Sequence, residues 1–340
     1  MAFPNRLTSV TQDKILPKLV EGVLNASPLV RNVLSRAKVW SGESLKVPFK
    51  YTTSASGTSF SGFDTLGTSA SDTRVKLSFD AKAYAKNIAL PLTEITANEG
   101  ESKVLDLLST EARSNSMDMA NEIATMFYGD GTGNSSKDTL GLEAIVDDGT
   151  NTSTYGGLTR SSYTAVNSTV TGSSGTLSLA KMSTLWYNAS EGTGSTEQPT
   201  SIYTTTTIIS LYESLLAPQE RFMKSTNGNN AMVGSEGFLT FEYKGAPIYA
   251  DRKCTSGVLY MINDNYLDFY GKPMAMSQPV RFRSEIQGVS YSDLEGLGFS
   301  WGGWIKASNA AAINSYVYLF GELVSGNPRR HAKLTGITGV

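Results

Sequence analysis

A single cysteine, Cys254, in a chain of 340 residues leaves no partner for an internal disulfide and excludes a cysteine-only zinc site. The one histidine, His331, would need a nearby Ser or Cys and an orienting carboxylate to serve a nucleophilic triad; flanked by Arg330 and Lys333, it reads instead as a structural hydrogen-bonding group. GxxxxGK[ST], HExxH and CxxC are all absent, so phosphate cradling, zincin chemistry and thiol redox lose their usual signatures. The run from Asp130 to Asn134 begins like a calcium loop, but position twelve counted from Asp130 is Gly141 where that loop requires a bidentate glutamate; a helix stop fits better. No stretch of about 20 apolar residues occurs, and the opening MAFPNRLTSVTQDKIL lacks the apolar core of a secretory signal. The expectation is a non-enzymatic chain without cofactor or metal, made in a reducing cytoplasm, neither secreted nor membrane-spanning.

Net charge is also scarce, at -2, which argues against a dedicated nucleic-acid binder. The charge is nevertheless uneven. Residues 1–50 carry eight basic side chains, Lys14 and Lys18 among them, against three acids, and the segment after Ser325 adds Arg329, Arg330 and Lys333. Two readings stay open: two solvated ends, or one face turned to a polyanion or an acidic partner.

What is present begins with a spine. From Asn98 to Gly133, the residues Leu105, Leu108, Ala112, Met119, Ile123 and Met126 recur at helical spacing, and Gly129, Gly131 and Gly133 forbid continuation. Such a helix, about 28 residues at about 1.5 Å each, would be a rod of about 40 Å. Before it, Leu45 to Thr53 reads as one strand and Arg74 to Lys86 as another, with Val75, Leu77, Phe79, Ala81, Ala83 and Ala85 on one face. The apolar phase then shifts to Ile88, Leu90 and Leu92, which predicts a bulge or bend near Asn87. Between these strands a Ser/Gly/Thr-rich segment embeds Phe60, Phe63 and Leu66. A lone hairpin is marginal in water, so it must fold back on its own domain or lie on a neighbouring subunit.

Prolines divide residues 1–40 into two short amphipathic helices that need a partner surface. After the spine, Leu140, Leu142, Ala144 and Val146 alternate as a strand, and residues 149–180 read as surface loop with Arg160 as their only charge. Ser178 caps a helix, Ile202 to Thr206 is a strand, Ile208 to Leu216 a helix stopped by Pro218, and together they suggest a compact α/β unit. From Phe238 the chain turns β-rich, with hairpins over Lys244-Gly245 and over Asn263-Asp264-Asn265, then strands at Val280 to Ile286, Phe299 to Ile305 and Ser315 to Val324. Cys254 reads as a small buried hydrophobe.

This order of elements, together with YGDGTGN at 128–134, GAPIYADRK at 245–253 and GELVSGNPRRHAKLTGI at 321–337, resembles the major capsid proteins of tailed bacteriophages, the Hong Kong 97 fold. The resemblance spans essentially the whole chain. It implies an α+β capsid fold with a long spine helix, an extended β-hairpin loop, and peripheral and axial domains. The N-terminal arm would cover 1–43 and the extended loop 44–92. The peripheral domain would hold 93–150, with the spine at 99–128, and 316–340; the axial domain would span 151–315, with some strands returning to the peripheral one. It further implies hexamers and pentamers tiling an icosahedral shell around double-stranded DNA, in a virion assembled in the host cytoplasm. Partners would be the chain itself, portal and scaffolding proteins, an optional decoration protein, and DNA held by non-specific contacts, without a membrane.

Phe60, Phe63, Leu66 and Arg74 would then contact the next subunit, and Lys14, Lys18, Arg329, Arg330 and Lys333 would face DNA. Some relatives carry an N-terminal scaffolding segment; here the arm opens the sequence, so a scaffold would be a separate or removed protein. Some crosslink a loop lysine to an asparagine; Lys50, Lys76 and Lys82 read better as solvated surface. An encapsulin-like compartment with protein cargo and a glycan-binding or glycan-processing β-rich protein are the alternatives.

Overall fold

The computed structural model describes residues 27–54, 57, 59–65, 71–97, 118–119, 121–190, 195–220, 241–272, 278–279, 299–308 and 310–340. The expectations for the first arm helix, the spine before residue 118, Leu66, Lys14, Lys18 and the strand Val280 to Ile286 fall outside them. The spine is described at its C-terminal end, a helix over residues 121–128 that buries Ile123, Ala124 and Phe127 and stops at Gly129.

Two six-stranded sheets organise the described residues. The first is built on the long strand Ala312–Ser325. Phe299–Lys306 pairs antiparallel along one edge, with Gln278–Pro279 beyond it. Along the other edge two strands lie end to end: Lys82–Pro91 pairs from Ala312 to Gly321, and Leu267–Gly271 continues from Gly321 to Ser325. Lys38–Val39 extends this side in parallel. The second sheet runs in the order Phe241–Tyr243, Ala246–Ala250, Ser201–Thr204, Leu259–Ile262, Ala332–Leu334, Thr169–Thr171. Helices Leu179–Ala189 and Thr206–Glu220 share its apolar cluster through Met182, Leu185, Trp186, Ile208 and Tyr212. The last strands of the chain belong here: Ala332–Leu334 pairs in the second sheet and Ile337–Gly339 with Gly175–Thr176, whereas 316–325 stays with the first sheet.

Several local features follow the sequence directly. The Ser178 hydroxyl accepts from Lys181 N at 3.3 Å and opens its helix. The 241–250 hairpin turns on Lys244 and Gly245 at φ 51° and 85°, the left-handed pair that two-residue hairpins favour. Other features differ from the sequence reading. The apolar phase changes at Ala81, not near Asn87: Val75, Leu77 and Phe79 face inward, then Lys82, Tyr84, Lys86, Ile88 and Leu90 do, in a ladder unbroken from Lys82 to Pro91. Ala83 and Ala85 are therefore outward. Lys82, Tyr84 and Lys86 take inward places because they find partners there: Lys82 Nζ donates to Ser136 O at 2.8 Å, Lys86 pairs with Glu122 at 2.7 Å, and Tyr84 OH donates to the same carboxylate.

Leu142–Ile145 forms a helical turn and not a strand, because Gly141 seats it beneath the spine's last carbonyls. Pro218 lies inside the helix Thr206–Glu220 and does not stop it. Leu259–Ile262 and Leu267–Gly271 do not pair with each other; the 3-10 turn Asp264–Tyr266 carries the chain from the second sheet to the first.

Candidate functional site

The hairpin Ser44–Lys50 and Arg74–Asp80 is the outlying element, paired from Ser44↔Asp80 to Lys50↔Arg74. Its base is anchored to its own chain. Leu77, Phe79 and Phe49 are buried, Phe79 meets Tyr155 edge-on at 5.3 Å, Tyr51 meets Tyr163 at 5.2 Å, and Ser78 N donates to Gly156 O at 2.9 Å. Gly156, at φ 55°, is required there, since a Cβ would come 2.9 Å from Leu77. Among the described residues the distal segment has no such support. Phe60 is 64% and Phe63 106% exposed, while Arg74 is exposed at the end of its strand. Among the described residues, the two solvated phenylalanines have no partner and form an exposed apolar surface.

The arm behaves differently from its sequence expectation. The helix Pro28–Leu34 buries Leu29, Val30, Val33 and Leu34 in the main core, with Asn32 donating to Tyr203 OH at 2.7 Å and Arg36 pairing with Asp264 at 2.9 Å. Its partner surface is its own body. Ser27 Oγ donates to the buried Asp251 carboxylate, which also accepts from Tyr128 OH at 3.1 Å, and burial pushes that phenol well above its ordinary value.

Two of the basic residues expected to face DNA are internal, and this corrects that reading. Lys333 is 2% exposed; its Nζ lies 3.5 Å from Asp147 Oδ1 and 3.4 Å from Glu143 O. Burial alone would raise the Asp147 pKa, but N–H groups from Thr152, Gly149 and Asn151 together with the Lys333 ammonium hold it below the usual carboxylate range. Arg330 is buried against Glu197 at 2.9 Å. Both strands of argument for a basic C-terminal face then reduce to Arg329, which is exposed. Sequence gave no sign of these pairings, because Asp147 and Glu197 are more than a hundred residues away. Arg160, read as part of a surface loop, is fully buried and caps the carbonyls of Ala144, Asp147 and Val166.

The groups that sequence singled out for chemistry are structural. His331 is fully buried; Nδ1 accepts from Asn263 N at 3.2 Å, Nε2 lies 2.8 Å from Ser325 Oγ, and burial lowers its pKa to about 3, so the ring is neutral. Cys254 is buried and its thiol pKa is raised by burial. Asp130 accepts from Thr132 N and Oγ1 at 2.9 and 2.7 Å, closing the glycine turn locally. Among the described residues no cluster of three potential metal ligands occurs, and no helix is long and apolar enough to cross a membrane.

Glu322 is a buried carboxyl with a raised pKa. It is 1% exposed, accepts from Leu140 N at 2.6 Å and Leu323 N at 3.1 Å, and has its pKa raised to about 8, burial outweighing the two N–H groups. A carboxyl whose folded pKa lies above its unfolded value binds more protons when folded. The stability it contributes is present below about pH 4.5 and is lost as pH rises toward 8, on the order of 5 kcal/mol in all. Glu322→Gln should remove this slope: chemical denaturation at pH 5 and pH 8 should differ less for the variant than for the native chain.

No protein-family model matches the chain, and no curated protein does. Solved structures do. The cyanophage A-1(L) capsid subunit is similar over 92% of this chain and 93% of its own, with TM-score 0.65 at 15% identity. The capsid of the native GTA particle is similar over 90% of each chain, TM-score 0.55 at 12% identity. The holo-SrpI encapsulin complex of Synechococcus elongatus is similar over 92% of this chain and 89% of its own, TM-score 0.53 at 11% identity. The chain has an α+β fold of the phage capsid kind, which the encapsulin shares.

Proposed function

We propose that this chain is the major capsid protein of a tailed phage, assembling as hexamers and pentamers into an icosahedral shell around double-stranded DNA. The observation that carries the proposal is the hairpin: its root is built into the subunit while its aromatic tip is solvated, in a fold whose neighbours are shell subunits over nine-tenths of the chain. A tip that clasps the next subunit covers Phe60 and Phe63, and many such modest contacts sum to a closed shell. The role is structural, and self-association is its activity; portal, scaffolding and decoration proteins are the further partners proposed. Light scattering with negative-stain imaging of the purified chain tests it. Hollow megadalton particles are expected, and a chain that stays monomeric when co-expressed with its neighbouring genes would overturn it.

The likeness to the encapsulin supports a second reading, a compartment with protein cargo. Disrupted native particles should release DNA under the first reading and an enzyme under the second. For DNA contact the proposal now rests on Arg329 and the N-terminal lysines Lys14 and Lys18. Arg329→Ala should reduce DNA retention while leaving empty shells and subunit stability unchanged. Lys333→Ala should instead cost on the order of 3 kcal/mol of stability, since it leaves Asp147 buried without its cation. Retention assays and urea denaturation separate the two.

A further inference from the structure

Strand pairing leaves one edge of the hairpin open. Tyr51 N donates to Thr73 O at 3.1 Å, which makes that position a bonded pair, and bonded and non-bonded pairs alternate along an antiparallel ladder. Lys50 with Arg74, Pro48 with Lys76 and Lys46 with Ser78 are then the non-bonded pairs, whose N–H and C=O groups point away from the partner strand. Pro48 suits such a place, having no N–H to give. Ser78 bears it out: its N–H leaves the hairpin and meets Gly156 O at 2.9 Å. That bond begins a pairing which the subunit does not continue. Beyond it, the Lys76 N–H and the carbonyls of Lys76 and Arg74 face outward along Arg74–Asp80 with no backbone partner among the described residues.

This edge opens on a groove of about 740 Å³ shared with Gly156, Gly157 and Leu158. Lys46, Arg74 and Lys76 supply its charge, all three exposed and none in an ion pair with a described residue; Pro48, Val75 and Leu158 supply aliphatic surface. Arg74 and Lys76 stand two residues apart, about 7 Å along the strand, which is also the step between side chains on one face of any strand laid beside them. Lys50 faces Arg74 across the ladder, so like charges are already crowded here.

We infer that an extended acidic segment of a second, different protein completes this edge, added as a strand beside Arg74–Asp80 with its carboxylates over Arg74 and Lys76. The open backbone groups select a peptide among polyanions. A phosphate chain offers acceptors only and leaves the two carbonyls to water, whereas a peptide alternates donor and acceptor at the strand's own spacing. The chain is itself a poor source of such a segment. Two of its acids stand two apart only at Glu99 and Glu101 and at Asp293 and Glu295, each pair beside a glycine, Gly100 or Gly296, that weakens a strand. The inference does not rest on the shell reading, because the groove belongs to the single subunit.

A fluorescein-labelled hexapeptide of alternating valine and glutamate, titrated into the full-length unassembled chain, tests it. This peptide should bind, and one with lysine in place of glutamate should not. Arg74→Gln with Lys76→Gln should weaken binding about tenfold, and rising salt should weaken it again. Lys76→Pro should weaken it more than Lys76→Gln does while leaving the thermal midpoint unchanged, since the N–H it removes bonds nothing within the subunit and an edge strand tolerates proline. Methylated peptides give the same answer without any variant. N-methylation of one alternate set of amides should abolish binding and of the other set should not, because only one edge of an added strand meets the subunit. No binding, equal effects of the two methylated sets, affinity indifferent to Arg74 and Lys76, or a lysine peptide that binds as well would each overturn the inference. Tighter binding by a peptide of residues 290–297 would overturn it in favour of a second copy of the chain, and tighter binding by a single-stranded oligonucleotide in favour of a phosphate site.

Discussion

Gly321→Ala should destabilise the subunit by on the order of 3 kcal/mol, lowering the urea midpoint and the yield of soluble chain. Gly321 pairs with Lys82 and with Gly271, the residues at which the two end-to-end strands abut along Ala312–Ser325. A Cβ there would press into the Tyr270 carbonyl oxygen, lie 2.6 Å from Phe269 Cζ and 2.9 Å from Gly271 Cα. Two of these are backbone atoms, and Phe269 is locked against Phe127 with ring centroids 5.8 Å apart, so nothing nearby gives way cheaply. The damage should spread to both strands at once. Full stability in Gly321→Ala would mean that the junction relaxes, and the end-to-end seam would not be the tight element described here.

Phe60→Ala with Phe63→Ala should leave stability within about 0.5 kcal/mol of native, because exposed side chains contribute little to the isolated fold. Assembly should suffer heavily. Each clasp that loses two buried aromatic anchors forfeits on the order of 4 kcal/mol, and a shell repeats that loss at every subunit. The measurement is the assembled fraction by sedimentation at a concentration where the native chain forms particles, beside a denaturation curve of the same preparation. A large assembly defect with an unchanged denaturation curve is the expected pair of results. Equal assembly would remove the clasp, and a fallen denaturation midpoint would put the phenylalanines inside the subunit's own fold.

Sequence made legible those elements whose rule is local. Alternation over Arg74–Asp80 marked the hairpin, the glycines after Tyr128 marked the helix end, and Lys244-Gly245 marked a two-residue turn, because each depends on neighbours within a few positions. The neutral, hydrogen-bonded His331 was legible for the same reason that catalysis was not: nothing near it in sequence could activate it. The misses share another cause. Lys82, Tyr84 and Lys86 read as solvent-facing because they are polar, and only Glu122 and Ser136, brought in by the helix end, make the inward face acceptable to them. Arg330 and Lys333 read as a basic surface for want of any sign of Glu197 and Asp147. Leu142 to Val146 alternates like a strand, yet the close seat of Gly141 against the Met126 and Gly129 carbonyls turns it into a helix. The sheet switch at Asp264–Tyr266 is equally silent, since a hairpin and a crossover begin with the same turn residues.

The ladder between Lys82–Pro91 and Ala312–Gly321 has a mechanical consequence. The part of a tug on the hairpin that passes from Asp80 into Lys82 runs along the axis of a strand whose ten paired positions lie side by side with the long one. Loaded in that direction, the cross-strand hydrogen bonds are sheared together and share the force, whereas a pull at right angles would peel them in succession.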